Sequence, residues 1–285
     1  MIDTHVHVWS TDLLRYPFGP HDGLTAPTNA CTPDDFLTDA AGADVRKVLL
    51  IQPRVYGYDH AYLFDAGAAL HGQARVMPLV NVTRSTSTED MRQLAARELT
   101  AAVRVVALGA APAHWLCSPE AHQAWETAAQ LDLPVGLLVD PHQLAFVAQV
   151  AAEHPALTII IDHMGRCVPA LQPEYAPRLC ALAAHPNVHI KVSAVDSLSH
   201  AEFPHPDMWT LIADLYREFG ASRLIWGSDW PHIRRHANYD HSYTAIRHAL
   251  AGASERHLDE IFTTTAARLF RLGSTHVTGG TDGNA

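Results

Sequence analysis

The chain has 285 residues, 48% of them hydrophobic, which is enough for one large α/β domain or two small ones. Its formal net charge of -10 comes with no basic block, which argues against nucleic acid and anionic membrane surfaces as partners. No apolar run reaches the length of a membrane span, and no signal-peptide pattern precedes the first strand, so a cytoplasmic location is expected.

Ile2-Asp3-Thr4-His5-Val6-His7-Val8-Trp9 alternates apolar and polar residues and reads as a strand. Residues two apart share a face, so Asp3, His5 and His7 are expected on one side. Pro17, Gly19, Pro20, Gly23, Pro27 and Pro33 mark residues 10–33 as a long loop. Thr32 then stands as N-cap of a helix with Pro33 at its first position. Strands two to seven are expected at Lys47–Gln52, Arg75–Val82, Ala102–Leu108, Pro134–Val139, Thr158–Asp162 and Val188–Ser193. Helices are expected between them at Ala61–Leu70, Ser87–Leu99, Pro119–Leu131, Leu144–His154, Glu174–His185 and Pro206–Phe219. Arg223–Gly227 is strand eight, Ser254–Leu269 a closing helix, and residues 274–285 a polar, Gly-rich tail expected to be disordered.

Eight strands alternating with helices, in a chain near the ~250 residues typical of the fold, predict a (β/α)8 TIM barrel in one domain over residues 1–273. No GxGxxG or P-loop follows any strand to support an open doubly wound sheet. Cys31, Cys117, Cys167 and Cys180 are widely spaced and form no CxxC, which suits a reducing cytosol rather than a disulfide framework.

In a parallel barrel all strand C-termini meet at one mouth, so distant residues converge there. Strand one supplies His5 and His7, strand six His163, and strand eight Asp229, where Gly227 loosens the backbone and Pro231 forbids a regular continuation. With twenty histidines in the chain, an HxH pair alone is weak evidence. His163 alone reads as a hydrogen-bonded structural histidine, and Asp229 alone as a turn former. Their joint placement at strand ends favours function. Three imidazoles and a carboxylate are the ligand types of one divalent ion, zinc first. A second ion would need ligands on strands four or five, which offer no His, Glu or Lys.

Asp3-Thr-His-Val-His-Val8, Ile161-Asp-His-Met-Gly-Arg166 and Trp226-Gly-Ser-Asp-Trp-Pro-His232 resemble signatures of the amidohydrolase superfamily, in its amidohydrolase 2 branch. Within that branch the chain is similar to the 2-pyrone-4,6-dicarboxylate lactonase and sugar-lactonase group, from Ile2 to about Leu269. The resemblance implies a (β/α)8 barrel, hydrolysis of a lactone ring, and roles for His5, His7, His163 and Asp229 at the reacting carbonyl. It leaves the cofactor open: some members hold one zinc through such residues, while the pyrone dicarboxylate lactonase works without metal. That lactonase grips two substrate carboxylates with arginines and tyrosines. Arg104 and Arg166 stand at matching places here. The basic pair after strand four has become Gly109-Ala110, an arginine after strand seven has become Ser197, a loop tyrosine falls near Leu24, and one on strand five is aliphatic. These changes argue against a dianionic pyrone, and Arg54 and Tyr56 after strand two imply a reshaped pocket.

The expected chemistry is acyl transfer to water, with Asp229 deprotonating the water and the three histidines, with or without a metal, polarising the carbonyl. Arg104, Arg54, Tyr56, Arg166, Lys191 and His232 are candidates for contact with a small-molecule substrate. Arg104 reads equally as a core ion pair, and Lys191 as a buried partner of Asp3 or Asp229. The alternatives are a zinc-dependent non-oxidative decarboxylase of a small acid and, from another class, a catalytically silent ligand-binding barrel. Oligomeric state is not legible in the sequence.

Overall fold

A computed structural model describes residues 1–19, 25–109, 111 and 113–273. Eight strands alternate with helices: β1 (Ile2–Val6), β2 (Lys47–Ile51), β3 (Ala74–Met77), β4 (Val103–Ala107), β5 (Val135–Val139), β6 (Ile159–Ile161), β7 (Val188–Val192) and β8 (Leu224–Trp226). Their runs of Val, Ile and Leu suit strands covered on both faces, and every pairing is parallel. Two sheets, β1–β3 and β4–β8, join into one ring through shorter contacts. The Arg104 amide donates to Pro78 O at 2.8 Å and Val80 donates to Arg104 O at 2.9 Å, linking β3 to β4. His7 donates to Trp230 O at 2.7 Å, linking β1 to the end of β8. The fold is the expected (β/α)8 barrel.

Alternation sorts the side chains into two cores. Val48 and Leu50 point outward into the layer shared with the helices. Leu49, Ile51, Met77, Ala102, Ile160 and Ile225 point inward, where Ala266, Leu269 and Phe270 of the last helix close the ring from below. The mouth at the other end is therefore left to polar groups.

Gly227 stands where β8 meets β1. A Cβ added there would lie 2.6 Å from His5 Cβ and 2.9 Å from His5 N, so any larger residue would push the two strands apart. The helix Pro33–Asp39 starts as expected, on a capping box in which Thr32 accepts from Asp35 N at 3.2 Å and Asp35 accepts from Thr32 N at 2.8 Å.

Several boundaries differ from expectation. β1 ends at Val6 rather than Trp9, and its register shifts between Asp3 and Val6. β3 stops at Met77 because Pro78 has no N–H to donate, leaving Leu79 in a single bridge to Arg104. β6 stops at Ile161 because Asp162–Arg166 coils into a tight turn. A π-helical segment, Glu260–Thr264, interrupts the closing helix. The helix His241–Ala249 was not expected: its buried residues are Ser242, Ala245 and Ile246, two of them small or polar, so its apolar face is faint in the sequence. Among the described residues no helix is long and apolar enough to cross a membrane. The expected tail at 274–285, with Leu24 and Ala110, lies outside the described residues.

Candidate active site

His5 and His7 leave β1 at the barrel mouth, both buried. His163 follows β6 directly, one residue past Asp162, in a left-handed turn where His163, Met164 and Gly165 have φ of 52, 52 and 61°. Asp229 is also left-handed, with φ 61°, three residues past the end of β8. A left-handed residue turns the chain back on itself, and both side chains thereby reach across the mouth instead of continuing up the strand.

The four groups meet. Asp229 Oδ1 lies 3.6 Å from His5 Nε2, 3.9 Å from His7 Nε2 and 3.9 Å from His163 Nε2. His5 Nε2 and His7 Nε2 are 3.2 Å apart. Asp229 Oδ1 is buried with no hydrogen-bond partner, an expensive state for a carboxylate oxygen. Burial drives the Asp229 carboxyl well above its usual range, with Asp196, Asp162 and Asp3 adding to the effect against Arg104. The same burial keeps the imidazoles neutral: His5 and His7 fall well below their ordinary value, and His163 falls to about 3.

Each imidazole is held from its other nitrogen. His7 Nδ1 lies 2.9 Å from Ile51 O, and because a carbonyl only accepts, Nδ1 carries the proton and Nε2 presents a lone pair. His163 Nδ1 bonds Ser193 Oγ at 2.8 Å. His5 Nδ1 faces Lys191 Nζ at 3.3 Å and Asp162 Oδ1 at 3.7 Å. Ligand atoms ~2.0–2.2 Å from a tetrahedral ion sit ~3.3–3.6 Å from one another. The ligand atoms of His5, His163 and Asp229 all lie within 4.8 Å of one another, and with the orphaned Asp229 oxygen they make a donor set for a single divalent ion. Asp229 also groups with His7 and His232, whose ring is 5.4 Å from that of His7 and whose pKa burial lowers to about 4.

Behind the cluster lies the ion pairing expected of Arg104 and Lys191, built on an acid that the sequence does not single out. Asp162, fully buried, accepts from Arg104 Nε at 2.7 Å and pairs with Lys191 Nζ at 3.0 Å. Burial pushes the Asp162 carboxyl up, but Lys191 and Arg104 more than offset this and hold it below the usual carboxylate range. Lys191 thus pairs with Asp162, not with Asp3 or Asp229. Two inward cations on β4 and β7 demanded an inward acid, and Asp162 beside His163 was the available one. Asp3 does different work. It accepts from His5 N at 3.0 Å, Ser228 N at 2.9 Å and Tyr239 OH at 2.7 Å, tying the loop after β8 to β1.

His7, His163 and Asp229 form the floor of a cavity of about 940 Å³, while His5 is buried beneath it and does not line it. His7, His163, Asp229, Arg104, Arg54, Arg166 and His232 line it, as do Leu138 of β5 and Ser197 after β7. Arg104 therefore serves both readings, paired with Asp162 behind and bordering the cavity in front. Arg166 also pairs with Asp140, at 3.2 Å. Two candidates do not reach the wall: Lys191 is wholly buried behind His5, and Tyr56 accepts Ser10 N at 2.9 Å and packs its ring on Phe18 and Tyr62.

A family model described as amidohydrolase matches residues 2–272. The chain belongs to that family. It is 29% identical over 249 residues to L-fucono-1,5-lactonase of Burkholderia ambifaria, covering 86% of this chain and 84% of the relative. It is 27% identical over 239 residues to 4-sulfomuconolactone hydrolase of Rhizobium radiobacter, covering 81% and 75%. The structure of an amidohydrolase from Burkholderia multivorans with bound zinc superposes with a TM-score of 0.77 at 21% identity, over 95% of this chain and 99% of that one.

The Asp162 network generates a stability prediction. Asp162→Asn removes the counter-charge from two buried cations at once and should lower the unfolding free energy by ~3–5 kcal/mol. Chemical denaturation at neutral pH checks this, and a loss under ~1 kcal/mol would show that the network does not hold the mouth together.

Proposed function

We propose that the protein opens a lactone ring by adding water to the ring carbonyl, with Asp229 as general base. It is a hydrolase of a cyclic carboxylic ester with a small-molecule substrate. The observation that carries this reading is Asp229 Oδ1, buried, unpartnered and facing three imidazole Nε2 atoms at the floor of an open cavity. Names of the relatives, a fuconolactonase and a sulfomuconolactone hydrolase, support the lactone.

Burial raises the Asp229 carboxyl above its ordinary range, which makes its carboxylate a stronger base. Water held against Asp229 gives it a proton as the water oxygen bonds to the carbonyl carbon. Negative charge develops on the former carbonyl oxygen, and Arg104, fixed by Asp162 and bordering the cavity, supplies positive charge beside it. Collapse of the adduct breaks the bond between the carbonyl carbon and the ring oxygen. The departing alkoxide takes the proton back from Asp229, leaving a hydroxy acid. Arg54, Arg166 and His232 contact the substrate from the wall, while Lys191 orients His5 and Tyr56 supports the loop bearing Arg54.

His5, His7, His163 and Asp229 are the residues that would hold one divalent ion, zinc matching the donor set best. Such an ion, when bound, supplies Lewis-acid polarisation of the carbonyl and lowers the pKa of water. Arg104 on β4 and Leu138 on β5 face the cavity and offer no ligand atom, which supports one ion rather than two. All four cysteines are free, which supports a cytoplasmic location.

Asparagine at 229 keeps the size of the side chain but accepts no proton from water. Asp229→Asn should cut turnover of a responsive lactone by at least ~10²–10⁴ while binding persists. Near wild-type kcat, measured by acid release, would remove the general base from this account. Elemental analysis of zinc-loaded, dialysed protein should return no more than about one equivalent per chain. Two tightly held equivalents would contradict the ligand assignment.

A further inference from the structure

The charges around the cavity do not balance. Five guanidiniums line it, those of Arg54, Arg104, Arg166, Arg234 and Arg235, against one carboxylate among the described residues, Asp229. Three of the five already have carboxylates: Arg104 has Asp162, Arg166 has Asp140 and Arg234 has Asp39. Arg235 is exposed at the rim, where water solvates it. Arg54 is different. It is half-buried, and among the described residues it has neither a carboxylate partner nor a hydrogen-bond acceptor.

A guanidinium withdrawn from water without a partner is costly, and Arg54 is withdrawn beside two others. Burial, then Arg104 and Arg166, weaken its hold on its proton. A generally basic protein would make such an excess unremarkable, but this chain carries a net charge of -10. The backbone under Arg54 is also fixed. Arg54–Tyr56 is a 3-10 turn after β2, closed by Gly57 at φ 54°. The Gln52 amide donates to Gly57 O at 3.3 Å and to Asp59 O at 2.6 Å, and Gly19 N donates to Val55 O at 2.9 Å. The turn therefore presents a preorganised cation to the cavity.

We propose that Arg54 binds an oxyanion substituent of the lactone, a carboxylate or a sulfonate, so that the preferred substrate carries one negative charge. Two coplanar N–H groups of a guanidinium match two oxygens of such a group. A neutral polyhydroxylated lactone would leave Arg54 unsatisfied. A second anion would find Arg104, Arg166 and Arg234 already paired with carboxylates and Arg235 solvated at the rim. The assignment rests on lactone hydrolysis as the reaction, so binding and turnover are to be read separately.

The test uses five- and six-membered lactones, each prepared as ring carboxylate, sulfonate, carboxamide and dicarboxylate. Wild-type kcat/KM for the carboxylate or the sulfonate should exceed that for the carboxamide by at least ~10-fold, the scale of one charge-assisted contact. Whichever of the two anions is favoured identifies the substituent. In Arg54→Gln the ratio should collapse to within ~3-fold, through KM rather than kcat, and Arg54→Lys should restore part of it. Equal use of the carboxamide by the wild type would overturn the proposal, as would a ratio unchanged in Arg54→Gln. A dicarboxylate preferred by ~10-fold over the monocarboxylate would overturn the single charge. Calorimetry of the carboxylate lactone with Asp229→Asn, with and without Arg54→Gln, reads binding alone. Binding weakened ~10-fold by Arg54→Gln when the wild type opens no lactone would uphold the anion site and remove lactone hydrolysis instead.

Discussion

One carboxylate, Asp162, meets two buried cations inside a closed ring of strands, and the mouth of the barrel depends on it. Its Oδ2 takes Arg104 Nε at 2.7 Å, while its Oδ1 faces Lys191 at 3.0 Å and His5 Nδ1 at 3.7 Å. Buried ion pairs are poor net stabilisers because desolvation offsets most of the attraction. What such a network does well is exclude alternatives, since no member can move without stranding another. Arg104 on β4, Lys191 on β7 and Asp162 after β6 are thereby locked together, and His5 on β1 is located from behind. The cluster in front can then leave Asp229 Oδ1 unsatisfied, because the groups around it are not free to collapse onto it.

Backbone strain gathers in the same place. His163, Met164, Arg166, Ala194 and Asp229 all have φ between 52 and 61°, a region that non-glycine residues seldom occupy. All five lie just beyond β6, β7 or β8, and His163 is anchored by Ser193, the neighbour of Ala194. Strain of this kind persists only where surrounding contacts over-determine it. Asp3, which accepts from Ser228 N and Tyr239 OH, is one such contact for the turn that carries Asp229. A fold that aims imidazoles and a carboxylate at one point therefore uses loops that are short, bent and tightly hydrogen-bonded.

How much of this is legible in the sequence follows from the range of the interactions. Alternating apolar runs separated by helical windows are local signals, and they indicate eight strands and the barrel. Strand position plus the shared mouth then brings together His5, His7, His163 and Asp229. Asp162 escaped notice because a carboxylate next to a candidate histidine carries no periodic signal of its own; its meaning comes from Arg104 and Lys191, 58 residues before it and on the next strand. Gly227 looked like a residue that loosens a strand end, whereas its lack of a Cβ admits the His5 backbone. Tyr56 looked like a pocket residue because polar groups after a barrel strand often are; its hydroxyl instead accepts the amide of Ser10 across the loop. These misses are contacts between distant segments, which a local pattern cannot encode.

The claim that joins these parts is that water, activated at Asp229, attacks the acyl carbon of a lactone. Ring opening in ¹⁸O-labelled water, followed by mass spectrometry of the hydroxy acid, tests it most directly. Attack at the carbonyl places one ¹⁸O in the new carboxylate and none in the hydroxyl group. Label in the hydroxyl group, which marks cleavage on the alkyl side of the ring oxygen, would contradict the account.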